Sequence, residues 1–124
     1  MSRAMVIDDS RSIRMILGKM LTELGYQVSQ AANGKEALTA VEQDAELFSL
    51  VLVDWNMPEM NGLEFVKNFR ANARFSSVPL VMVTTETELS QVEFALEAGA
   101  NEYVMKPFTK EVISDKLRMI GVIQ

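Results

Sequence analysis

Residues 50–62 read Leu50-Val51-Leu52-Val53-Asp54-Trp55-Asn56-Met57-Pro58-Glu59-Met60-Asn61-Gly62. The four consecutive Leu and Val residues are typical of a short β-strand that is buried on both faces. This strand runs directly into the carboxylate of Asp54 and then into a turn rich in Asn, Pro and Gly. Asp54 is therefore predicted at the carboxyl end of a buried strand, the edge at which open parallel sheets bind ligands.

The remainder of the chain repeats a strand followed by a helix. The predicted strands cover residues 3–7, 26–31, 50–53, 80–83 and 103–105. Strict alternation favours a parallel sheet covered by helices on both faces, with right-handed crossovers. The sequence thus predicts an α/β fold, a doubly wound five-stranded parallel sheet of the flavodoxin-like (βα)5 type. We adopt the strand order 2-1-3-4-5 from known folds of this type, since the pattern alone does not dictate it.

Cap residues and apolar spacing predict where the helices begin and which faces they bury. Cap spacing is present at Asn33 with Glu36, Asn61 with Glu64, Ser90 with Glu93, and at Thr109. The predicted buried faces include Ile13, Ile16, Leu17, Met20, Leu21 and Leu24 in the first helix, Leu63, Val66 and Phe69 in the third, and Val112, Ile113, Leu117 and Ile120 in the last.

The composition excludes several kinds of chemistry. The 124 residues suit one domain, and they include neither Cys nor His, which removes thiol catalysis, thiolate metal sites and the usual general base. The net charge is −5 with scattered Lys and Arg, which disfavours nucleic-acid binding. No apolar run has the length of a membrane span, so we expect a cytoplasmic protein that does not bind membranes.

Polar side chains end four of the five predicted strands. Asp8 and Asp9 follow the first strand, Asp54 the third, Thr84 the fourth and Lys106 the fifth. The carboxyl ends of parallel strands share one edge, and in the adopted order the three carboxylates meet in one crevice. Such carboxylates repel one another, so a cation must be present. A divalent metal and the Lys106 ammonium together would offset all three charges.

Oxygen ligands without His or Cys favour a hard cation such as Mg²⁺, which retains open positions for phosphate oxygens. A phosphoryl group is then the natural ligand and the Asp54 carboxylate the natural nucleophile, with Thr84 as a hydroxyl donor. Each residue alone also has a plain structural interpretation. Asp9 or Ser10 can simply cap a helix, and Asp54 can belong to a turn. The shared sheet edge favours the functional interpretation.

These motifs resemble those of the receiver domains of two-component response regulators, above all the single-domain chemotaxis regulators. The resemblance spans the whole chain. It rests on Asp8-Asp9, Asp54 with Trp55-Asn56-Met57-Pro58 and Gly62, Thr84, and Tyr103-Val104-Met105-Lys106-Pro107-Phe108. It implies one receiver domain over residues 1–124 with no output domain.

The resemblance also assigns roles to these residues. It implies that Asp54 accepts phosphate from a histidine kinase, and that Lys106 and Thr84 contact the phosphoryl group. It implies Mg²⁺ as the cofactor, bound by Asp9, Asp54 and the backbone carbonyl of Asn56, with Asp8 acting through a water molecule. The Lys106-Pro107 peptide bond is expected to be cis. The chain would be no enzyme beyond catalysing its own phosphorylation and dephosphorylation.

In this family the switch Thr and an aromatic residue, here Thr84 and Tyr103, move on phosphorylation and reshape the face of helix 4, strand 5 and helix 5. Independently, helix 4 carries more apolar residues than one buried stripe requires. Leu89, Val92 and Leu96 are spaced to form an exposed strip beside Tyr103, although Val92 or Leu96 can equally belong to the core.

Three positions are expected to tune dephosphorylation. Asn56 and Glu86 flank the path of an attacking water in the family. Thr85 stands where the family usually has Ala or Gly, and its bulk narrows access to the phosphoryl group. The resemblance does not set the rate.

The expected partners are a histidine kinase of the chemotaxis type, a flagellar motor switch protein or another protein target, and a phosphatase, with the chain itself a monomer. Alternatives remain: a phosphate sink, or a docking module that works without phosphorylation. A flavodoxin-like electron carrier is disfavoured because Asp8 and Asp9 would repel its FMN phosphate. A phosphatase with an aspartate nucleophile normally has a second Asp, as acid and base, where Asn56 stands. Multiple-turnover hydrolysis is therefore disfavoured.

Overall fold

The computed structural model describes residues 2–85 and 89–123, with their side chains except those of residues 89 and 90. Strands and helices alternate as predicted. The strands are β1 (Arg3–Ile7), β2 (Gln27–Ala31), β3 (Leu50–Val53), β4 (Leu80–Thr84) and β5 (Glu102–Met105). The helices are α1 (Arg11–Glu23), α2 (Gly34–Gln43), α3 (Gly62–Ala71), α4 (Leu89–Ala98) and α5 (Lys110–Met119), with a short 3₁₀ turn at Ala73–Phe75.

The five strands form one parallel sheet in the order β2-β1-β3-β4-β5, which confirms the predicted fold class and strand order. Ile7 at the end of β1 pairs with Ala31 of β2 on one side and with Val53 of β3 on the other. The chain thus turns one way after β1 and the other way after β2. Asp8 and Asp54, which follow Ile7 and Val53, are neighbours at this switch point.

The central strands are buried on both faces. Successive strand residues point to opposite sides, so Val51 and Val53 join the core beneath α2, α3 and α4, while Leu50 and Leu52 join the core beneath α1 and α5. A strand with helices on both sides has no solvent face to mark with polar residues. This explains why β3 is a continuous apolar run rather than an alternating one.

Two residues predicted on buried helix faces are exposed. Ile16 is 47% exposed and Val112 is 40% exposed, so both predictions are wrong. The buried stripe of α1 contains Leu17, and that of α5 contains Ile113. Each exposed residue immediately precedes a buried one, and one residue along a helix is a rotation of about 100°.

Three of the four predicted N-caps are confirmed. The side chains of Asn33, Asn61 and Thr109 accept hydrogen bonds from the backbone at Glu36, Glu64 and Val112. Ser90 is not an N-cap, because α4 begins at Leu89 and Ser90 is its second residue. The Ser-x-x-Glu spacing falls inside the first helical turn there. In the described part of the chain, no helix combines the length and apolar character needed to cross a membrane.

Candidate functional site

The sheet itself positions the two buried carboxylates. The backbone N–H of Asp8 donates to the carbonyl of Ala31 at 3.1 Å, and that of Asp54 donates to the carbonyl of Ile7 at 2.9 Å. These bonds continue the parallel ladder one residue past the assigned strands. Both side chains are therefore held at the same height above the sheet edge, and both are buried, with 1% and 6% exposure.

The connection from β3 to α3 folds back tightly against Asp54. The N–H of Gly62 donates to the carbonyl of Trp55 at 2.8 Å. A Cβ atom on Gly62 would lie only 2.0 Å from the carbonyl oxygen of Asp54, a distance that forces the backbone to move. The sequence pattern identified Gly62 as a turn residue, and the structure shows that close backbone approach is what requires glycine.

Three carboxylates converge at this edge. Asp8, Asp9 and Asp54 each offer an oxygen, and these oxygens lie within 4.8 Å of one another. Asp9 is exposed, in contrast to its two neighbours. Ser10 serves as the N-cap of α1, accepting from the backbone N–H of Ile13 at 3.3 Å. The residue that caps α1 is therefore Ser10 rather than Asp9, and the Asp9 carboxylate lies near those of Asp8 and Asp54.

Lys106 bridges the two buried carboxylates. Its Nζ is 2.7 Å from Oδ2 of Asp8 and 3.3 Å from Oδ2 of Asp54, and its side chain is 14% exposed. The sequence reasoning placed Lys106 beside Asp54, whereas in the structure its shorter contact is with Asp8. The Lys106-Pro107 peptide bond is cis, as expected.

Burial and charge perturb both ends of this bridge. Burial raises the pKa of Asp54, and the neighbouring Asp8 carboxylate raises it further, against the opposing effects of Lys106 and a hydrogen bond from Thr84. Burial alone would lower the pKa of Lys106. Its hydrogen bond to Asp8 and the charges of Asp54 and Asp8 outweigh burial, so the pKa of Lys106 is raised.

The remaining predicted residues of the crevice lie at different depths. Thr84 is fully buried at the end of β4, and its hydroxyl is hydrogen-bonded to the Asp54 side chain. Asn56 and Thr85 are exposed on the loops after β3 and β4. Glu86 lies outside the described residues.

The residues predicted for the switch face divide between core and surface. Tyr103 is buried in the core beneath α4, with 7% exposure. Val92 is partly buried and packs against the same core, so it is not part of an exposed strip. Leu96 is 43% exposed. The side chain of Leu89 lies outside the described part of the chain.

The carboxylate group has the composition of a hard-cation site. Asp8, Asp9 and Asp54 supply only oxygen, and among the described residues a single ammonium, that of Lys106, forms ion pairs with these three carboxylates. A divalent cation such as Mg²⁺ matches both the ligand type and the residual charge. The residues present therefore fit a Mg²⁺ site.

Arg14 is a residue at this edge that the sequence reasoning missed. Its Nη1 donates to the backbone carbonyl of Asp8 at 2.6 Å, and its Nε donates to Oε1 of Gln30 at 3.2 Å. A cationic side chain one helical turn after a strand-end carboxylate was the available signal, but residue spacing does not show which carbonyl such a side chain reaches.

The family model described as the response regulator receiver domain matches residues 4–118. This chain belongs to the response regulator receiver family. Family members act in two-component signalling, and the acidic crevice of this receiver domain lies at the carboxyl ends of β1 and β3.

Several of the relatives and solved structures that this receiver resembles are chemotaxis regulators. Chemotaxis protein CheY1 of Helicobacter pylori is 42% identical over 119 residues, covering 95% of each chain. A CheY homolog of Campylobacter jejuni is 43% identical over 116 residues, covering 93% of this chain and 88% of the relative. The structure of CheY4 of Vibrio cholerae superposes with a TM-score of 0.89 at 35% identity, covering 97% of this chain and 98% of that one.

Proposed function

We propose that this receiver domain is a phosphorylation switch in which Asp54 accepts a phosphoryl group from a histidine kinase. The observation that carries the proposal is the position of Asp54 at the switch point of the sheet, with the Lys106 ammonium 3.3 Å from Oδ2 and the Thr84 hydroxyl hydrogen-bonded to the same side chain. A nucleophile and two donors for phosphoryl oxygens thus meet at one place. Lys106 and Thr84 supply part of the positioning and charge that phosphoryl transfer requires.

The transfer needs no general base, because the attacking carboxylate carries no proton. A carboxylate oxygen of Asp54 attacks the phosphorus of a phosphohistidine, and the new O–P bond forms as the N–P bond breaks. The imidazole nitrogen leaves with the bonding electrons and takes up a proton. Lys106 and Thr84 then donate to the phosphoryl oxygens, and Asp54 carries an acyl phosphate.

The carboxylates of the crevice are the residues that would hold Mg²⁺. We assign Asp9, Asp54 and the backbone carbonyl of Asn56 as ligands and Asp8 as a partner through a water molecule. When bound, the metal offsets the negative charge that accumulates between carboxylate and phosphoryl oxygens. The exposure of Asp9 leaves this side of the crevice open to solvent.

The output of the switch is assigned to the face formed by α4, β5 and α5. Each of these elements presents an exposed apolar side chain: Leu96 at 43%, Met105 at 48% and Val112 at 40%. Phosphorylation would favour the conformation in which Thr84 and Tyr103 have moved, and would thereby change this face. Leu89 and Val92 complete the set of residues predicted for this face on α4. Val92 is partly buried and would act through its packing against the core.

The chemotaxis names of the relatives suggest the partners. We assign a kinase related to CheA as phosphate donor, a flagellar motor switch protein as target, and a phosphatase as a further partner. Residues 1–124 would work as one cytoplasmic, monomeric receiver, catalysing only its own phosphorylation and dephosphorylation. Asn56, Glu86 and Thr85 would tune the second reaction.

A fluorescence titration tests the metal and phosphoryl assignments together. Trp55 is the only tryptophan and directly follows Asp54, and its backbone N–H donates to Oδ1 of Asp54 at 2.7 Å. Its emission should change with Mg²⁺ and change again with acetyl phosphate. Asp9→Ala, which removes an exposed ligand, should shift the first response to higher Mg²⁺ concentration. A wild-type protein whose emission responds to neither addition would refute the proposal.

A further inference from the structure

Arg14 ties together three elements at the base of the acidic crevice. It lies in the first turns of α1, and its guanidinium donates to the carbonyl of Asp8 at the end of β1 and to the side chain of Gln30 on β2. The 2.6 Å contact with Asp8 is among the short charge-assisted hydrogen bonds. A planar guanidinium that donates to two acceptors, here at 2.6 Å and 3.2 Å, fixes direction as well as distance.

The residue held by Arg14 is the one that shapes the crevice. The other side of the same turn is fixed by Asp8 itself, since its Oδ1 accepts from the backbone N–H of Ser10 at 2.9 Å and its Oδ2 accepts from Lys106. Asp9 lies between these anchored points and has an exposed side chain. The direction of the Asp9 carboxylate therefore depends on how firmly the backbone of this turn is held.

The geometry points to Arg14 as a positioning residue for the metal site, one that orders the Asp8-Asp9-Ser10 turn through the Asp8 carbonyl. This inference rests on the proposed function, because it assigns a role toward the Mg²⁺ of that same site. Removal of a group that orients metal ligands without binding the metal itself typically lowers metal affinity about 10-fold or more.

The charge of Arg14 and its position predict opposite effects of its removal on Mg²⁺ binding. Arg14 brings a positive charge close to the carboxylates, so charge alone predicts that its removal strengthens Mg²⁺ binding. If the side chain instead orders the ligand turn, its removal weakens binding. Arg11 supplies a matched control: it is an exposed cation in the same part of α1, and its side chain has no hydrogen-bond or ion-pair partner among residues 2–85 and 89–123.

The experiment titrates Mg²⁺ against Trp55 emission in wild type, Arg14→Ala, Arg14→Lys and Arg11→Ala. We expect the Mg²⁺ dissociation constant to rise about tenfold in Arg14→Ala and to change at most about twofold in Arg11→Ala, the size of a screened surface effect. Arg14→Lys keeps the charge and one donor and should recover part of the loss. Unfolding curves check that each variant is folded.

A second measurement needs no metal. Hydrogen exchange of the Ser10 amide, recorded by NMR without Mg²⁺, should be faster in Arg14→Ala than in wild type and unchanged in Arg11→Ala. Equal Mg²⁺ affinity and equal Ser10 exchange in Arg14→Ala and wild type would overturn the role of Arg14, as would tighter binding in Arg14→Ala. A wild type without any Mg²⁺ response would instead refute the proposed metal site, and the Ser10 exchange would still decide whether Arg14 orders the turn.

Discussion

Among single residues, the site is a group of three carboxylates with one ammonium between two of them. Asp8 and Asp54 are buried and share one ammonium, that of Lys106, while Asp9 adds a third negative charge at the surface. Burying carboxylates with incomplete compensation costs free energy of folding. Receiver function and stability therefore oppose each other at Asp54, and substitutions there should show it.

Asp54→Asn should stabilise the metal-free protein at neutral pH. The pKa of Asp54 is raised in the folded state, so the folded protein binds this proton more tightly than the unfolded chain and loses stability as pH rises through the folded pKa. The neutral amide avoids this loss, and Lys106 keeps Asp8 as its partner. We expect a gain of about 1 kcal/mol at pH 7 that disappears below about pH 4.

Urea unfolding of wild type and Asp54→Asn at pH 4 and pH 7, without Mg²⁺, measures this difference. An Asn variant that is less stable than wild type at pH 7 would mean that Lys106 more than offsets the burial of Asp54.

Lys106→Ala should have the reverse effect. It leaves two buried carboxylates without their shared ammonium, and removal of one partner from a buried pair typically costs about 3–5 kcal/mol. Because Lys106 is 14% exposed, we expect a loss of about 2 kcal/mol in the metal-free protein. Mg²⁺ should restore part of it, since a divalent cation replaces the missing charge.

Lys110→Ala is the control, because Lys110 pairs with Glu23 on the surface and its removal should change the free energy of unfolding little. Thermal unfolding with and without Mg²⁺ compares the two variants. Equal losses in both, with no recovery in Mg²⁺, would argue that Lys106 does not balance the crevice.

Sequence reasoning located these residues but not their pairing. Strand ends and residue types were enough to bring Asp8, Asp9, Asp54, Thr84 and Lys106 to one sheet edge, which the structure confirms. The shorter bond from Lys106 to Asp8, rather than to Asp54, depends on side-chain reach across β1 and β3. Spacing along the chain carries no information about such distances.

At the scale of elements, the connection between β3 and α3 decides how Asp54 is presented. The connection closes through the Gly62 N–H to Trp55 bond and continues into the reciprocal capping box of Asn61 and Glu64. Helix α3 therefore begins immediately beside the backbone of Asp54. The start of the helix and the position of the acceptor carboxylate depend on the same few atoms.

Gly62→Ala should damage the fold at this connection. The added Cβ meets the carbonyl oxygen of Asp54 at 2.0 Å, so the backbone must shift, and overpacking of this kind costs about 3 kcal/mol. Gly18→Ala provides the matched control within α1, where a Cβ finds only ordinary contacts at 3.6 Å or more. Ala is favoured over Gly in helices, so Gly18→Ala should gain about 0.5–1 kcal/mol.

Chemical unfolding at one pH compares the two glycine variants with wild type. Opposite signs are expected from the same chemical change. A Gly62→Ala protein as stable as wild type would show that the connection can relax without cost.

Helix existence was predictable, but helix faces were less so. Periodic apolar residues gave all five helices, yet Ile16 and Val112 proved exposed because apolar residues next to a buried stripe look the same in sequence. On α4 the apolar residues surround the helix. Val92 belongs partly to the core and Leu96 to the surface, a division that only the position of the sheet decides.

At the scale of the whole molecule, the sheet separates where phosphate would arrive from where a partner would bind. Asp54 lies at the switch point between β1 and β3, whereas Leu96 and Met105 lie on α4 and β5 at the far side of β4. β4 connects the two regions, since Thr84 at its end contacts Asp54 and pairs with Met105 of the edge strand. A change at the acceptor thus has a short physical route to the output face.

The double variant Leu96→Ser with Met105→Ser should lose partner binding while keeping phosphorylation. Both side chains are nearly half exposed, so their removal costs little stability. Leu47→Ser is the control, because Leu47 is similarly exposed (47%) but lies in the connection that precedes β3, the central strand. Titration of the phosphorylated proteins with a flagellar motor switch protein should show at least about tenfold weaker binding for the double variant only. Unchanged binding would move the output face elsewhere.

The most direct test of the account is the intact mass of wild type and Asp54→Asn after incubation with Mg²⁺ and acetyl phosphate. We expect one labile phosphoryl group on wild type, lost on standing, and none on the folded Asn variant. A phosphoryl group of equal yield on Asp54→Asn, or none on wild type with either acetyl phosphate or a phosphorylated kinase, would contradict Asp54 as the acceptor.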